Sequence, residues 1–404
     1  MKINSYLIML ILIFLRLVSV ETVGAEMGGG NQLHSKVIYA FWPYWIDPSL
    51  YEPDWSVLNY VAYHSWDANS NGTLNIPSNI NRFNTVKKLA HNNNVKIIIS
   101  VKNFDMDTLD NIFAYHRDDL SNNISNNLQM YGADGVNLDF EFPRTINHYT
   151  DTSNKDLFED LMKKIYAKVK SKNPDYYISI NIAGSIEDVY RNANLSNYTD
   201  VVFLRGYNYH WSNSSRTGSP SPYNSIVNSV NDLKNYYPSN KIILGLYLSG
   251  YDWPSETEES GSNITGSGID ISMKNAIANA DTYGRFWDYN SRTPYYKYYN
   301  NMTWHQVWYE DEQSLEIKLD YIKSENIGIG IWALGYEGNN ASIWKIVREK
   351  IFISSTELPN KPLKDPKIIG FELAIFLIIL LGLLICILIR VDLINKKKVI
   401  NKNK

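Results

Sequence analysis

From residue 37 onward, short apolar runs alternate with polar loops and longer stretches of helical pattern. Eight of the apolar runs have the length and alternation of β-strands, and stretches such as 107–131 and 155–172 between them predict helices. Strands that alternate with helices predict an α/β protein with a parallel (β/α)8 TIM barrel. The predicted strands are 37–45, 58–64, 95–101, 135–142, 177–183, 200–209, 241–248 and 327–334.

An unusually long segment, about 254–302, separates the seventh and eighth predicted strands. It opens with a loop rich in Ser, Thr, Glu and Gly and continues with runs rich in aromatic residues. We predict a small strand-rich insertion here. Two interpretations stay open: a wall of a cleft, or a passive surface excursion.

The fourth predicted strand has an unusual polar face. Apolar and polar residues alternate along it, so one face is apolar and the opposite face carries Asn137, Asp139 and Glu141. The two acids are separated by one residue, which places their Cβ atoms about 6.6 Å apart along a strand. Like charges this close raise at least one pKa, so one acid can hold a proton while the other stays ionised. That division suits cleavage of a glycosidic bond.

Two other interpretations of this strand are less favoured. A solvated face on an edge strand is disfavoured because the stretch follows a helical segment and has an apolar second face. A metal site is disfavoured because no His lies nearby at ligand spacing.

Residues 134–141 read Asp-Gly-Val-Asn-Leu-Asp-Phe-Glu. This run resembles the signature of family-18 glycoside hydrolases, Asp-Gly-apolar-Asp/Asn-apolar-Asp/Asn-x-Glu, at every position. The resemblance covers about residues 36–350 and implies a (β/α)8 barrel. The runs at 307–311 and 330–336 resemble the branch of spore-cortex lytic enzymes and di-N-acetylchitobiase. That branch implies N-acetylglucosamine linkages in chitin fragments or cell-wall glycan as the substrate.

The resemblance also implies a role for each motif residue. Glu141 would protonate the leaving oxygen, and Asp139 would orient the 2-acetamido group of the substrate. That group would act as the nucleophile through an oxazolinium intermediate, with retention at the anomeric carbon. Tyr207 would hydrogen-bond the acetamido oxygen, and Trp332 would form the floor beneath the sugar. No cofactor and no metal are implied.

The chain departs from the family pattern in two respects. The third strand lacks the Gly-Gly that is common after its Ser, here Ser100. The motif positions Asn137 and Asn208 lack a charge that many members have, and the sixth-strand motif Met-x-Tyr-Asp reads Arg205-Gly206-Tyr207-Asn208 here. A lower activity or a shifted pH optimum is therefore expected, with Asn208 as the more consequential change because the signature itself allows Asn at 137.

Aromatic clusters end the first, sixth, seventh and eighth predicted strands. Four clusters at corresponding places favour a sugar cleft over ordinary core packing. We therefore predict substrate contacts at Asn137, Trp42, Asn208, Tyr251 and Trp332. His64 and His210 also lie near strand ends and could contact the substrate, although a buried, hydrogen-bonded role is the favoured interpretation for both.

The termini have the pattern of a membrane-anchored ectodomain. Residues 1–25 are typical of a signal peptide, although Arg16 leaves an uncleaved anchor open. A Pro-containing linker at 354–367 precedes an apolar run at 368–391, which is long enough to span a bilayer. The basic tail at 392–404 predicts a cytoplasmic C-terminus and an extracellular barrel in the cell membrane. The rival is a cell-wall sorting signal at Leu358-Pro359, which lacks the Thr-Gly that this signal requires.

The distribution of charge limits the classes of binding partner, and the cysteine content limits how the barrel can be stabilised. The formal net charge is −3, yet residues 390–404 hold six Lys or Arg against one Asp, so the remainder is more acidic than the whole. This argues against nucleic acid as a partner. The only cysteine, Cys386, lies in the apolar run, so the barrel must be held together by its core.

Two functional alternatives to the enzyme stay open: a lectin-like sugar-binding protein on the same barrel, and an envelope adhesion protein. The sequence leaves chitin and peptidoglycan, exo and endo action, and the oligomeric state as alternatives.

Overall fold

The computed structural model describes residues 36–338 and 341–351, which contain a closed barrel of eight parallel strands. The first strand pairs in parallel with both the second and the last barrel strand, and this pairing closes the sheet. The predicted TIM barrel and its eight strands are confirmed. The barrel strands are β1 (Ile38–Pro43), β2 (Tyr60–Ala68), β4 (Lys96–Asn103), β5 (Gly135–Phe140), β6 (Tyr177–Ile182), β7 (Val201–Arg205), β8 (Ile242–Tyr247) and β14 (Gly328–Trp332), and a two-residue strand, β3 (Leu74–Asn75), pairs with β2.

Helices cover the outside of the barrel. The predicted helix 155–172 is confirmed, but the predicted helix 107–131 is two helices that meet at His116. The backbone of His116 leaves the helical region there, and Asp118 and Asp119 in the next turn favour a new helix N-terminus. The described helices are α1 (Ile80–Asn92), α2 (Met106–Tyr115), α3 (Arg117–Tyr131), α4 (Asn154–Lys172), α5 (Tyr223–Leu233), α6 (Met273–Tyr283), α7 (Glu312–Glu325) and α8 (Ala341–Ile351).

Each barrel strand packs on two sides. On β5, Val136, Leu138 and Phe140 belong to the large apolar cluster between the strands and the helices, as the alternation predicts. A separate aromatic cluster that includes Tyr39, Phe41 and Phe203 fills the barrel interior. The polar face of β5 is therefore directed to the interior.

The segment between β8 and β14 is an antiparallel sheet of five strands with α6 packed on it. The prediction of a strand-rich insertion is confirmed, but the sheet runs from Ser249 to Tyr309 and so exceeds 254–302. The reason is that the first and last of its strands along the chain, Ser249–Ser255 and Thr303–Tyr309, pair with each other along their length. In sheet order the strands are β10 (Ile269–Ser272), β9 (Ser249–Ser255), β13 (Thr303–Tyr309), β12 (Thr293–Asn300) and β11 (Phe286–Asp288).

Several predicted segments lie outside the described residues: the signal peptide at 1–25, the linker at 354–367, the transmembrane helix at 368–391 and the basic tail at 392–404. Across 36–338 and 341–351, no helix combines the length and the apolar character needed to cross a membrane.

Gly330 lets the Phe203 ring fill the barrel interior. A Cβ at residue 330 would lie 2.3 Å from a ring carbon of Phe203. We expect Gly330→Ala to lower the free energy of unfolding by about 1–3 kcal/mol because the packed interior must shift. Urea denaturation would measure this loss. Since Phe203→Leu removes the clashing ring, the double variant should lose less than the two single losses combined. Wild-type stability in Gly330→Ala would contradict this account of the interior.

Glu337 ties the loop after β14 to the loop after β1. Its carboxylate accepts hydrogen bonds from the Tyr51 hydroxyl and, at 2.9 Å, from the Gly335 N–H. Burial raises the pKa of Glu337 to about 7, against 4.5 for the free group. The folded protein thus binds this proton more tightly than the unfolded chain, and stability falls as pH rises through that interval.

Glu337→Gln keeps a neutral side chain at every pH. Wild-type protein should therefore lose about 3 kcal/mol relative to the variant as pH rises from near 4.5 to above 7. Urea unfolding of both proteins at a series of pH values would measure this difference. Parallel pH dependences would show that Glu337 titrates alike in the folded and unfolded chains.

Candidate active site

The carboxyl ends of the barrel strands open into two adjoining cavities of about 370 and 520 Å³. Both cavities are lined by Glu141, Arg205, Tyr207, Asn208 and Tyr251. This is the end of a parallel barrel where active sites lie.

The two acids of the sequence motif stand at the end of β5. Asp139 is on the strand and is 4% exposed, whereas Glu141 follows the last strand residue and lines both cavities. The backbone N–H of Glu141 donates to the Asn103 carbonyl of the neighbouring strand at 3.1 Å. Two predicted catalytic residues are thus brought into one cavity, together with Tyr207.

Asn137 lies on the same face of β5 but deeper in the barrel. It is fully buried and does not line either cavity. Its amide donates to Ser179 and Asn181, each at 3.0 Å, and its oxygen accepts from Ser100 at 3.1 Å. The closed barrel thus places Asn137 outside both cavities, as a support beneath Asp139, and the substrate contact at Asn137 stays a prediction.

Trp42 also lies away from the cavities. Strand alternation sends Phe41 into the barrel interior and Trp42 to the outer side, where its ring stacks on Trp55 at 6.1 Å and is fully buried. Trp42 therefore lines neither cavity, and the substrate contact at Trp42 stays a prediction. Tyr44 and Trp45, beyond the strand end, line the first cavity instead.

Asp139 is held in its ionised form. Burial acts to raise its pKa, but the contact with His64 and the positive charge of Arg205 outweigh burial, and the pKa lies below its usual value. The His64 Nε2 atom is 3.4 Å from the Asp139 Oδ2 atom. The other carboxylate oxygen, Oδ1, is buried and has no hydrogen-bond partner. It is therefore available to a donor on a bound ligand.

The pKa of Glu141 is shifted in the opposite direction, above its usual value. Burial raises the pKa of its carboxyl, and the nearby Asp139 charge adds to this effect. An ion pair with the Arg205 guanidinium opposes both, although the pKa remains above its usual value. The two acids thus differ as general acid catalysis requires, because Asp139 favours its ionised form and Glu141 favours its protonated form.

A group of hydroxyls and one more carboxylate forms the far wall of the first cavity. The rings of Tyr207 and Tyr247 stack at 5.0 Å, and the Tyr247 hydroxyl donates to Asp270 at 2.9 Å. Burial raises the pKa of Asp270. Tyr251 and Asp270 come from the inserted sheet, so the insertion is a wall of the cleft and the passive interpretation is wrong.

Aromatic rings provide the remaining surfaces. The centroid of the Trp332 ring lies 5.4 Å from that of Phe41 and 5.1 Å from that of His64, and Trp332 lines the first cavity. Trp211 and Phe142 line the second cavity, and both are about half exposed. Sugar rings present apolar faces, for which such surfaces are suited.

Sequence reasoning missed two residues of this site, Arg205 and Asp270, and left two roles open for His64. His64 lines the first cavity and contacts Asp139, and its Nδ1 atom has no hydrogen-bond partner. Arg205 was recorded only as a departure from a motif, although it shares the strand alternation of Phe203 and Tyr207 and so faces the interior. Asp270 gave no sequence signal because it lies in the insertion. For His210, the hydrogen-bonded interpretation holds, since its Nδ1 atom lies 2.9 Å from the Ser219 carbonyl oxygen.

Metal binding is not supported by the described part of the chain. Across residues 36–338 and 341–351, no group of three or more His, Cys, Asp or Glu side chains is arranged to hold a metal ion.

Comparison with known proteins gives consistent matches. The chain is 24% identical over 298 residues to a cortical fragment-lytic enzyme of Bacillus anthracis, covering 69% of this chain and 65% of that protein. It is 24% identical over 252 residues to di-N-acetylchitobiase of Homo sapiens, covering 54% of this chain and 64% of that protein. The chain thus spans about two thirds of the length of these relatives.

Solved structures share the fold. The spore cortex-lytic enzyme SleL of Bacillus cereus superimposes with a TM-score of 0.66 at 21% identity, over 79% of this chain and 75% of that chain. A Cycas revoluta chitinase solved with allosamidin superimposes with a TM-score of 0.65 at 20% identity, over 78% of this chain and 99% of that chain.

The family match covers most of the chain and includes every residue of the site. Residues 31–337 match the family described as glycosyl hydrolases family 18. The resemblance inferred from the 134–141 motif is confirmed, and the chain belongs to glycosyl hydrolases family 18.

Proposed function

We propose that this protein is a glycoside hydrolase that cleaves β-1,4 linkages of N-acetylglucosamine-containing glycans by retaining, substrate-assisted catalysis. One observation carries the proposal: an ionised Asp139 and a proton-favouring Glu141 stand together in one cavity with Tyr207. The names of the relatives, a cortical fragment-lytic enzyme and a di-N-acetylchitobiase, support chitin fragments or cell-wall glycan as the substrate class.

The reaction follows from the positions of these groups. Glu141 gives its proton to the glycosidic oxygen as the bond to the anomeric carbon breaks. The carbonyl oxygen of the substrate's acetamido group forms the new bond to that carbon, and Asp139 accepts a hydrogen bond from the acetamido N–H. Water then attacks the oxazolinium and returns a proton to Glu141. Two displacements at one carbon retain its configuration.

The surrounding side chains suit this substrate. The unpartnered Asp139 Oδ1 atom is a free acceptor for the acetamido N–H. Trp332 and Tyr207 line the cavity; in this proposal Trp332 packs against the sugar face and Tyr207 donates its hydroxyl to the acetamido oxygen. The cavity walls from the insertion, Tyr251 and Asp270, add a hydroxyl and a carboxylate for sugar hydroxyls.

We propose further that the barrel is anchored to the outer face of the cell membrane. The support is the apolar run at 368–391 followed by a basic tail. A Pro-containing linker of fourteen residues would span about 40 Å when extended, which confines the enzyme to nearby envelope glycan.

A lectin-like function on the same barrel is the second candidate. Two observations favour it: Asn208 stands where the family motif has Asp, and Arg205 forms an ion pair with the acid. Both changes act against turnover and leave the aromatic surfaces intact.

Glu141→Gln separates the two candidates. We expect the full-length protein in detergent to cleave N-acetylglucosamine oligomers or purified wall glycan. The variant should lose at least about 100-fold in kcat because the general acid is missing, while binding is kept. Mass spectrometry of products and calorimetry of binding would measure the two effects. Glu325→Gln, which removes a carboxylate paired with Lys234 at the surface, is the matched control and should leave activity unchanged. Binding by both proteins without cleavage by either would favour the lectin.

The acetamido nucleophile gives a second test. Oligomers of glucosamine lack the carbonyl oxygen that must attack, so we expect them to bind without being cleaved. Partially acetylated oligomers should yield products with an acetylated residue at the newly formed reducing end. Mass spectrometry of both digests would show this. Cleavage after a deacetylated residue would contradict substrate assistance.

A further inference from the structure

The cleft contains a cation that the proposed reaction does not use. Lys102 and Arg205 both line the first cavity. Arg205 forms an ion pair with Glu141, and the contacts of Asp139 with His64 and Arg205 keep its pKa below the usual value. The two acids of the motif thus have their partners without Lys102. A neutral chain of N-acetylglucosamine presents no charge to this ammonium either.

Lys102 stands in the same layer of the barrel as Asp139. It lies on β4, and its register partners are Asp139 on β5 and Asp67 on β2. Register partners on neighbouring strands direct their side chains to the same face, and the strands are about 4.8 Å apart. A sugar whose acetamido group contacts Asp139 therefore has its own substituents, or those of the next sugar, beside Lys102. Glycine, which is common in the family after the Ser of this strand, would place no side chain there.

The Lys102 ammonium has donors left for a ligand. Its Nζ atom lies 3.4 Å from the Asp67 Oδ1 atom, beyond the roughly 2.7–2.9 Å of a charge-assisted hydrogen bond. Asp67 is exposed and lines neither cavity, and a solvated ion pair of this kind is weak. Because an ammonium carries three donors, Lys102 can bind an anion inside the cavity.

Phe104 supplies an apolar surface directly beside this charge. The Lys102 Nζ atom is 5.1 Å from the centroid of the Phe104 ring, which is 46% exposed and lines the first cavity. A sugar ring can pack its apolar face on such a ring. A substituent carried by that sugar then lies next to the ammonium. The two side chains together fit a sugar with a negatively charged substituent.

We propose that Lys102 and Phe104 form a subsite for an acidic sugar, whose ring packs on Phe104 and whose carboxylate binds Lys102. A carboxylate fits better than a phosphate because the nearby Asp139 charge repels a dianion more strongly than a monoanion. Among the glycans of the proposed function, muramic acid residues carry such a group, a lactyl carboxylate on the sugar, whereas chitin carries none. Lys102 is then a specificity-determining residue that favours wall glycan. This inference rests on the proposed hydrolase function.

The carboxylate must be unmodified to bind. In intact wall glycan the lactyl group is joined to a peptide through an amide bond, and an amide carries no charge. Hydrolysis of that amide exposes the carboxylate that Lys102 recognises. The class of reaction that supplies the preferred substrate is therefore an amide hydrolysis, and peptide-free strands are that substrate.

Two substrates and two proteins form a double cycle read in kcat/KM. The substrates are peptide-free wall glycan strands and the same strands with their carboxylates reduced to alcohols. We expect Lys102→Met to lower kcat/KM on the acidic strands by about tenfold, as for the loss of one charge-assisted hydrogen bond. The reduced strands and N-acetylglucosamine oligomers should be cleaved as by the wild-type protein. Equal effects of Lys102→Met on acidic and reduced strands would overturn the proposal.

Three variants separate recognition from structural damage. Lys102→Arg keeps a cation and should keep the preference. Asp67→Asn removes the rim partner of Lys102 and should maintain or raise kcat/KM on acidic strands, whereas a loss equal to that of Lys102→Met would reduce Lys102 to a partner of Asp67. Lys164→Met removes an ammonium paired with Asp118 at 3.0 Å, outside both cavities, and should affect no substrate.

Peptide-linked strands test the source of the charge. We expect the wild-type protein to cleave them no better than the reduced strands, because their lactyl group is an amide. A preference for peptide-linked over peptide-free strands that is lost in Lys102→Met would assign the ammonium to a peptide carboxylate and overturn the acidic-sugar subsite.

A binding measurement separates this inference from the proposed function. Calorimetry with full-length Glu141→Gln protein, on acidic strands and on N-acetylglucosamine oligomers of equal length, gives the preference as a ratio of Kd values. We expect a ratio of about tenfold that disappears when Lys102→Met is added. If no glycan is cleaved by the wild-type protein but this ratio depends on Lys102, the hydrolase proposal fails and the subsite stands. Cleavage without such a preference would overturn the subsite and leave the hydrolase.

Discussion

The burial of negative charge inside a closed barrel is the constraint on which the site depends. Strand alternation obliges β5 to send Asp139 inward, and Glu141 follows at the rim. A carboxylate in such a place is stable only with a partner, because the loss of hydration costs several kcal/mol. His64 and Arg205 are those partners, and they come from β2 and β7, which are each separated from β5 by one strand of the barrel. The same rule governs the outer layer, where the fully buried Glu310 pairs with Lys318.

The fold was predictable because its signals are local and repeated. The alternation of Val136, Leu138 and Phe140 with polar residues gave both the strand and the direction of its acids, and all eight barrel strands carried a similar signal. The residues of the site were predictable only where the alternation along a single strand determines the direction of their side chains. Trp42 was assigned to the cleft from its neighbours rather than from its alternation with Phe41. Asn137 faces the interior as predicted, but the spacing of residues in the sequence does not reveal how far below the cavity a side chain lies.

The residues that sequence reasoning missed come from pairings between distant segments. Arg205 and Glu141 are 64 positions apart, and the charge of Arg205 opposes the rise that burial causes in the pKa of Glu141. Asp270 enters the cavity through the register of β9 and β10 in the insertion. No periodicity in a single segment carries such information. The replacement of the motif Asp by Asn208 looked like a loss of charge, yet Asp270 contributes a carboxylate to the same cavity from another element.

An arginine beside a catalytic acid has opposite effects on stability and on chemistry. In the empty barrel, the Arg205–Glu141 pair removes the cost of an isolated buried charge on each partner. During reaction, the same attraction resists the proton that Glu141 must carry. A family member with Met at this position avoids the conflict and leaves its acid governed by burial and by the neighbouring Asp. Here burial and the neighbouring Asp139 charge outweigh the guanidinium, so the pKa of Glu141 stays above its usual value and the acid can still carry the proton.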